Sequence, residues 1–256
     1  MVAVIPVVEM CCGYGGATAG MLAAGLEIEA SYDIWPVAVE QHRQWHPEVP
    51  CEVRDVATIT PDELTGRLVW ASLPCQPWSR ANQYAHRRGR NHPHYYPLVH
   101  FARQAQHARC AVIENVPGLV EMPDGQAELR ELERECARLG LGVTVHLVPS
   151  HWFGVPQLRK RLFIVIARDL PLLLLRPGAG VRGPLHIAPT ASENKGGAGR
   201  PAGRTPEQNA GLQGIPAPMG VSATAAHRLI GNAVPPRLAQ AIAEQVFVPL
   251  VRQAVA

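Results

Sequence analysis

Short apolar runs alternate with longer amphipathic stretches along the chain. The runs at 2–9, 27–33, 52–54, 68–73, 110–114, 142–148 and 162–167 read as strands, several of them buried on both faces. The stretches at 16–24, 36–45, 97–108, 126–139 and 236–247 read as helices, with Pro36, Pro97 and Pro236 at first-turn positions. Strands interleaved with helices predict an α/β fold, a mainly parallel sheet covered by helices on both faces. Such a sheet binds ligands beyond the carboxyl ends of its strands, where the strand order reverses. In a doubly wound order the first and fourth strands are neighbours at that point, so the turns that follow them face one crevice.

Composition narrows the picture only a little. At 256 residues and 47% hydrophobic content the chain suits one large domain with an ample core. A net charge of +3 permits a nucleic-acid partner without requiring one. Local charge is more telling, because Arg80, His86, Arg87, Arg88, Arg90, His92 and His94 crowd one stretch. The six cysteines contain no Cys-x-x-Cys pair, so reduced thiols and no metal are expected. The run 170–175 is too short to span a membrane, and Glu9 with the glycine-rich turn follows the start too soon for a secretory signal. Residues 176–204 are rich in glycine and proline and read as loop.

Chemistry concentrates at strand ends. Pro74-Cys75-Gln76-Pro77-Trp78-Ser79 sets a cysteine on a stiff turn after the fourth strand. Met10-Cys11-Cys12-Gly13-Tyr14-Gly15-Gly16 follows the first. Glu114-Asn115-Val116 closes the fifth, Gln157-Leu158-Arg159-Lys160-Arg161 precedes the seventh, and Gly231-Asn232 lies before the last helix. In this order the islands resemble the glycine-rich, Pro-Cys-Gln, Glu-Asn-Val, Gln-x-Arg-x-Arg and Gly-Asn motifs of the cytosine-C5 DNA methyltransferases.

That resemblance implies a Rossmann-like methyltransferase fold that binds S-adenosyl-L-methionine and acts on double-stranded DNA. It implies Cys75 as the nucleophile and Glu114 as the acid that shares a proton with the base. Arg161 would pair with Glu114 and hold the base's carbonyl oxygen, and Arg159 would support the nucleophile loop. Glycines after strand one let a ligand approach the backbone, and the Gly-x-Gly-Gly spacing is not the dinucleotide fingerprint. The cofactor set expected is Glu9, Cys11, Gly13, Gly15, Gly16, Asp33 for the ribose hydroxyls, Ile34 and Asp55 for the adenine, and Asn232 bracing the turns. Glu9 stands where the family usually has aspartate, and Cys11 where it has phenylalanine. Gln76, Ser79, Arg80, Arg87, Arg88 and Arg90 are expected at the DNA, with 80–96 a loop over a flipped base.

The expected organisation is a catalytic domain at 1–175, a reduced recognition segment at 176–225 and a returning helix at 226–256. The stretch 205–216 resembles an eroded form of the motif that organises the family's recognition domain. A monomer in a bacterial or phage-encoded cytoplasmic setting is expected. Transfer-RNA methylation and a catalytically silent DNA-binding partner are the alternatives. The chain lacks the Cys-Phe-Thr motif of the transfer-RNA branch, and its intact Cys75, Glu114, Arg159 and Arg161 count against silence.

Overall fold

A computed structural model describes residues 5–79, 88–168, 175–181, 183–191 and 203–255. Its centre is a seven-stranded sheet in the order β3-β2-β1-β4-β5-β7-β6. The strands are β1 (Val7–Met10), β2 (Ile28–Asp33), β3 (Cys51–Val53), β4 (Leu68–Ala71), β5 (Cys110–Asn115), β6 (Gly142–Pro149) and β7 (Lys160–Ala167). The order reverses between β1 and β4, which pair in parallel as the alternation of elements predicts. β7 departs from the parallel pattern, running antiparallel to both β5 and β6.

Side-chain alternation divides the core into two layers. Leu68 and Trp70 of β4, Val112 of β5 and Phe163 and Val165 of β7 point to one face. There they meet helix α1 (Gly16–Ala23) and the long C-terminal helix, Pro236–Val255, with Trp70 edge-on to Phe163 and Phe247. Val69, Ala71, Ile113, Leu162 and Ile164 point to the other face. They pack with Leu98 and Phe101 of the helix Leu98–Gln104 and with Leu132 and Cys136 of the helix Pro123–Arg138. Burying one such large side chain contributes roughly 1.5–3 kcal/mol.

In chain order the helices are α1, α2 (Pro36–Trp45), α3 (Pro61–Leu64), α4 (Leu98–Gln104), α5 (Gly118–Glu121), α6 (Pro123–Arg138), α7 (Pro206–Gln213), α8 (Ala223–Asn232) and α9 (Pro236–Val255). Pro97 caps α4 instead of opening it, and α9 runs past the expected end through Pro249. The sequence pattern does not reveal α3, α5, α7 or α8. Two of these are four residues long, and α7 has almost no apolar stripe because it is buried at Asn209, Ala210 and Gln213.

α7 and α8 shift the expected division of the chain. Ala210, Ile215, Leu229, Ile230 and Ala233 form one cluster with Tyr14 and Ala38. Residues from Thr205 onward therefore pack on the glycine-rich turn and α2. Before Thr205, His186 pairs with the backbone of Pro156 and Leu158, and the Pro189 carbonyl accepts from Arg159, so the described residues of that part also rest on the same body. Residues 169–174, 182 and 192–202 lie outside the described residues. Among the described residues no helix is long and apolar enough to cross a membrane.

Two glycines give opposite expectations. A Cβ on Gly16 would meet the Val234 carbonyl oxygen at 2.1 Å. Gly16→Ala should therefore destabilise by about 1–3 kcal/mol. Gly211 is exposed in α7 with open space around its Cβ position, so Gly211→Ala should stabilise by up to about 1 kcal/mol. Urea unfolding of the two variants beside the parent protein checks both signs.

Candidate active site

A cleft of about 390 Å³ opens along the carboxyl edge of the sheet at the β1–β4 switch. It is continuous from Cys11, Gly13, Asp33 and Asp55 at one end to Cys75, Gln76 and Glu114 at the other.

The Cys75 end is built from β4, β5 and β7. After β4 the chain passes Leu73 and Pro74 and enters a single 3-10 turn, Gln76–Trp78, with Cys75 at its start and Pro77 inside it. The Trp78 amide donates to the Cys75 carbonyl at 3.0 Å, and the Trp78 ring is buried against Tyr95. Asn115 Nδ2 donates to the Leu73 carbonyl, which ties the end of β5 to the approach to Cys75. Behind the turn, a Cβ on Gly118 would lie 1.8 Å from the Trp78 carbonyl oxygen. Only a glycine lets α5 back the turn so closely.

Glu114 is buried beside Cys75, and Arg161 Nε meets its Oε1 at 2.9 Å. The antiparallel register creates this pair, since Glu114 lies opposite Phe163 and Arg161 is the diagonal neighbour on the same face. Burial pushes the Glu114 carboxyl above its ordinary range, and Arg161 and then Arg159 pull it partly back. Burial likewise pushes the Cys75 thiol up, with Arg161 opposing. The pocket thus holds a thiol and a carboxyl whose protons are both retained more firmly than in water.

Arg159 acts on Cys75 through its charge, while its hydrogen bonds go elsewhere. It is buried, with Nη2 donating to the Gly231 and Ala233 carbonyls and Nη1 to Pro189. Burial, with Arg161 adding to it, lowers its pKa to about 9. Its charge lies at the carboxyl end of α8, where free carbonyls favour a cation. Gln157 adds a second tie, donating to Leu212 and Gln213, and Gln213 donates to Ile230 and Ala233. These bonds hold Asn232, Leu229 and Val234 at the cleft.

At the other end Asp33 closes β2. Its Oδ2 accepts from the Gly13 amide at 2.9 Å and its Oδ1 from the Trp35 amide at 2.8 Å. Each carboxylate oxygen keeps a lone pair for a ligand hydroxyl. Asp55 accepts from the Ala57 amide at 2.9 Å and lines the same cleft. Ile34 is 66% exposed there, an apolar surface open to a flat ring. Cys11 lines the cleft with a φ of 57°, unusual for a residue other than glycine.

Residues 5–176 match the family described as C-5 cytosine-specific DNA methylase. This chain belongs to that family. It is 29% identical over 171 residues to the Type II methyltransferase M.AgeI of Thalassovita gelatinovora, a match covering 63% of this chain and 39% of that protein. It is 28% identical over 176 residues to the Type II methyltransferase M.AquIA of a Picosynechococcus strain, covering 62% and 70%. The matched region is thus well under half of the first relative's length. Among solved structures, the Entamoeba histolytica methyltransferase EhMeth aligns over 97% of this chain and 99% of its own with a TM-score of 0.74 at 14% identity. The S. pombe Dnmt2 methyltransferase aligns over the same shares with a TM-score of 0.70 at 17% identity. Those likenesses establish the fold, Rossmann-like with one reversed strand.

For this family member the expected residues divide by location. Cys75, Gln76, Glu114, Cys11, Gly13, Asp33, Ile34, Asp55 and Asn232 line the cleft. Glu9, Gly15 and Gly16 do not. Glu9 is fully buried beneath the turn, accepting from Thr18 Oγ1 at 2.5 Å and Ser31 Oγ at 3.3 Å, and burial raises its pKa to about 7. Gly15 abuts His46, and Gly16 abuts Val234. These three shape the turn from behind.

The DNA-side expectations divide as well. Ser79 and Arg88 are half-buried on either side of the stretch 80–87, which holds Arg80 and Arg87 and lies outside the described residues. Arg90 is held by Glu128 at 3.0 Å and Glu131 at 2.6 Å, so its charge is already neutralised within the protein. Glu128 went unnoticed in the sequence. It is fully buried in α6 and also accepts from the Tyr95 hydroxyl and the Leu98 amide, which fixes the far end of the loop. An acid amid the apolar positions of α6 is the signal that marks it.

The electrostatics give a direct check. Alkylation of Cys75 by iodoacetamide, followed by peptide mass spectrometry, should accelerate with pH and show its midpoint above that of a free thiol. Arg161→Gln removes the cation that opposes burial, so it should slow Cys75 alkylation at pH 8. An unchanged or faster rate would contradict the assigned role of Arg161.

Proposed function

We propose that the protein transfers a methyl group from S-adenosyl-L-methionine to carbon 5 of cytosine in double-stranded DNA. The observation that carries this reading is the single cleft joining the Asp33 end to the Cys75–Glu114–Arg161 end at the sheet's switch point. S-adenosyl-L-methionine would supply an electrophilic methyl group and has no phosphate, which suits a turn closed by a carboxylate. Asp33 would take its ribose hydroxyls, and Ile34 and Asp55 would meet its adenine.

Carbon 5 of cytosine is a poor nucleophile. Addition of the Cys75 thiolate to carbon 6, with a proton taken up at ring nitrogen 3, gives a neutral enamine whose carbon 5 is nucleophilic toward a methyl donor. Addition is easier when ring nitrogen 3 receives a hydrogen bond from an acid. Glu114 suits this task because burial shifts its carboxyl toward the protonated form, the form that can donate. Arg161 orients that carboxyl and limits its upward shift, so the proton can also leave. Elimination of Cys75 after loss of the carbon-5 proton restores aromaticity. A base stacked in a duplex cannot reach the cleft, so the target nucleotide is flipped out, at a cost of a few kcal/mol.

DNA from cells expressing the protein should show 5-methylcytosine by bisulfite sequencing, and Cys75→Ser should abolish it. With so short a segment at 176–204, a target of about two to four base pairs is expected, each well-read pair adding about 1–3 kcal/mol of discrimination. Methylation found only in transfer RNA, with none in DNA, would overturn the substrate assignment. Asp33→Ala should weaken cofactor binding by about 1.5–3 kcal/mol for each charge-assisted hydrogen bond lost, as measured by calorimetry. Unchanged affinity would remove Asp33 from the cofactor site.

A further inference from the structure

At the floor of the cleft's Asp33 end lies a cysteine–histidine group that the proposed reaction does not use, and its Cys12 also lines the cleft. Cys12 follows β1, His42 lies in α2 and Cys51 opens β3. All three are buried, and one donor atom from each lies within 4.8 Å of the other two. The two sulfurs are 3.5 Å apart. Two thiolates sharing one tetrahedral ion at about 2.3 Å stand about 3.8 Å apart, whereas bonded sulfurs stand about 2.0 Å apart. The observed spacing is close to the first and far from the second.

The imidazole is already oriented for such a role. Thr18 Oγ1 donates to Glu9 Oε2 at 2.5 Å, so it has only lone pairs to offer His42 Nε2, 2.8 Å away. With Thr18 donating to Glu9, Nε2 carries the hydrogen toward Thr18, and in the neutral ring Nδ1 is left as a lone pair. Nδ1 is buried with no well-formed hydrogen bond, and the ring interacts with Cys51. A histidine whose second nitrogen is fixed through a hydroxyl to a carboxylate has the outer-shell support typical of a metal ligand. The two sulfurs and this nitrogen form a soft donor set that suits zinc.

We propose that Cys12 Sγ, Cys51 Sγ and His42 Nδ1 bind one zinc(II) ion, with a small exogenous ligand completing the tetrahedron. The ion would join the ends of β1 and β3 to α2, and so brace the glycine-rich turn from below. Among the described residues no other trio of such ligands converges in this way. Linear spacing hides the site, because its ligands lie at 12, 42 and 51 with no Cys-x-x-Cys between them.

The test is metal content and metal titration of the full chain. Protein purified under reducing conditions without chelator should carry close to one zinc per chain by mass spectrometry of the metal. After stripping, zinc(II) titrated against a chromophoric chelator should rebind and raise the melting temperature. Cobalt(II) in its place should give a thiolate-to-metal charge-transfer band. Cys12→Ser and Cys51→Ser should each weaken binding at least about 100-fold, and Thr18→Val about 10–100-fold. Cys75→Ser should bind zinc as the parent does, which separates this site from the reaction. Absence of stoichiometric zinc binding to the parent protein would overturn the proposal even if the variants failed to fold. So would equal binding by the Cys12 and Cys51 variants, or a Cys12–Cys51 disulfide in the metal-free protein as isolated.

Discussion

The reversed direction of β7 is the constraint on which the site depends. A strand parallel to β5 would begin at the opposite edge of the sheet, and the residues before it would lie far from Cys75. Because β7 runs backwards, its start lies beside the carboxyl end of β5, and Arg161 reaches Glu114. A buried carboxyl without a cation would hold its proton too tightly for reversible transfer. A buried guanidinium without a carboxylate would be costly, since breaking a buried pair commonly costs about 3–5 kcal/mol. Arg161 takes the Glu114 carboxylate, and Arg159 donates to the Gly231 and Ala233 carbonyls instead. One short segment thus sets the electrostatics around Cys75 and fixes the wall of the cleft at Asn232.

The cleft keeps its shape because its parts touch at backbone distance. Gly118 lets α5 back the Cys75 turn, and Gly16 lets α1 meet the turn between α8 and α9. Gln157, Arg159 and Gln213 join the β6–β7 connection to α7 and α8. Glu128 holds Arg90, Tyr95 and Leu98 on the other side of the opening. Each tie pairs a buried polar group that would otherwise be costly. The elements bearing Asp33 and Cys75 are thereby held in one frame, as a transfer between two bound molecules requires.

Much of this was legible in the sequence. The seven strands and the β1–β4 switch follow from period and alternation, because strands buried on both faces read as plain apolar runs. Cys75, Glu114 and Asp33 were legible because chemistry at strand ends in such a sheet shares one edge. The direction of β7 was not, since hydrophobic pattern is the same for either direction. Contacts that depend on packing were hidden as well. The α8-end carbonyls that Arg159 bonds have no local signal in the sequence. Glu9 and Gly16 lie in a motif that points to the ligand, yet they stand behind the turn and do not line the cleft. Arg90, read as a phosphate contact, is neutralised by two glutamates more than thirty residues downstream. Such partners meet only through tertiary structure, and no local spacing signals them.

The central claim is that Cys75 bonds covalently to the base while Glu114 and Arg161 manage the proton. The most direct measurement is the mass of the complex formed with cofactor and a duplex carrying 5-fluorocytosine, in which the fluorine blocks release of the cysteine. The account predicts a denaturant-resistant adduct of one methylated strand per chain, mapped by peptide sequencing to Cys75 alone. Methylation of ordinary cytosine with no trapped adduct, or an adduct mapped to another cysteine, would contradict it.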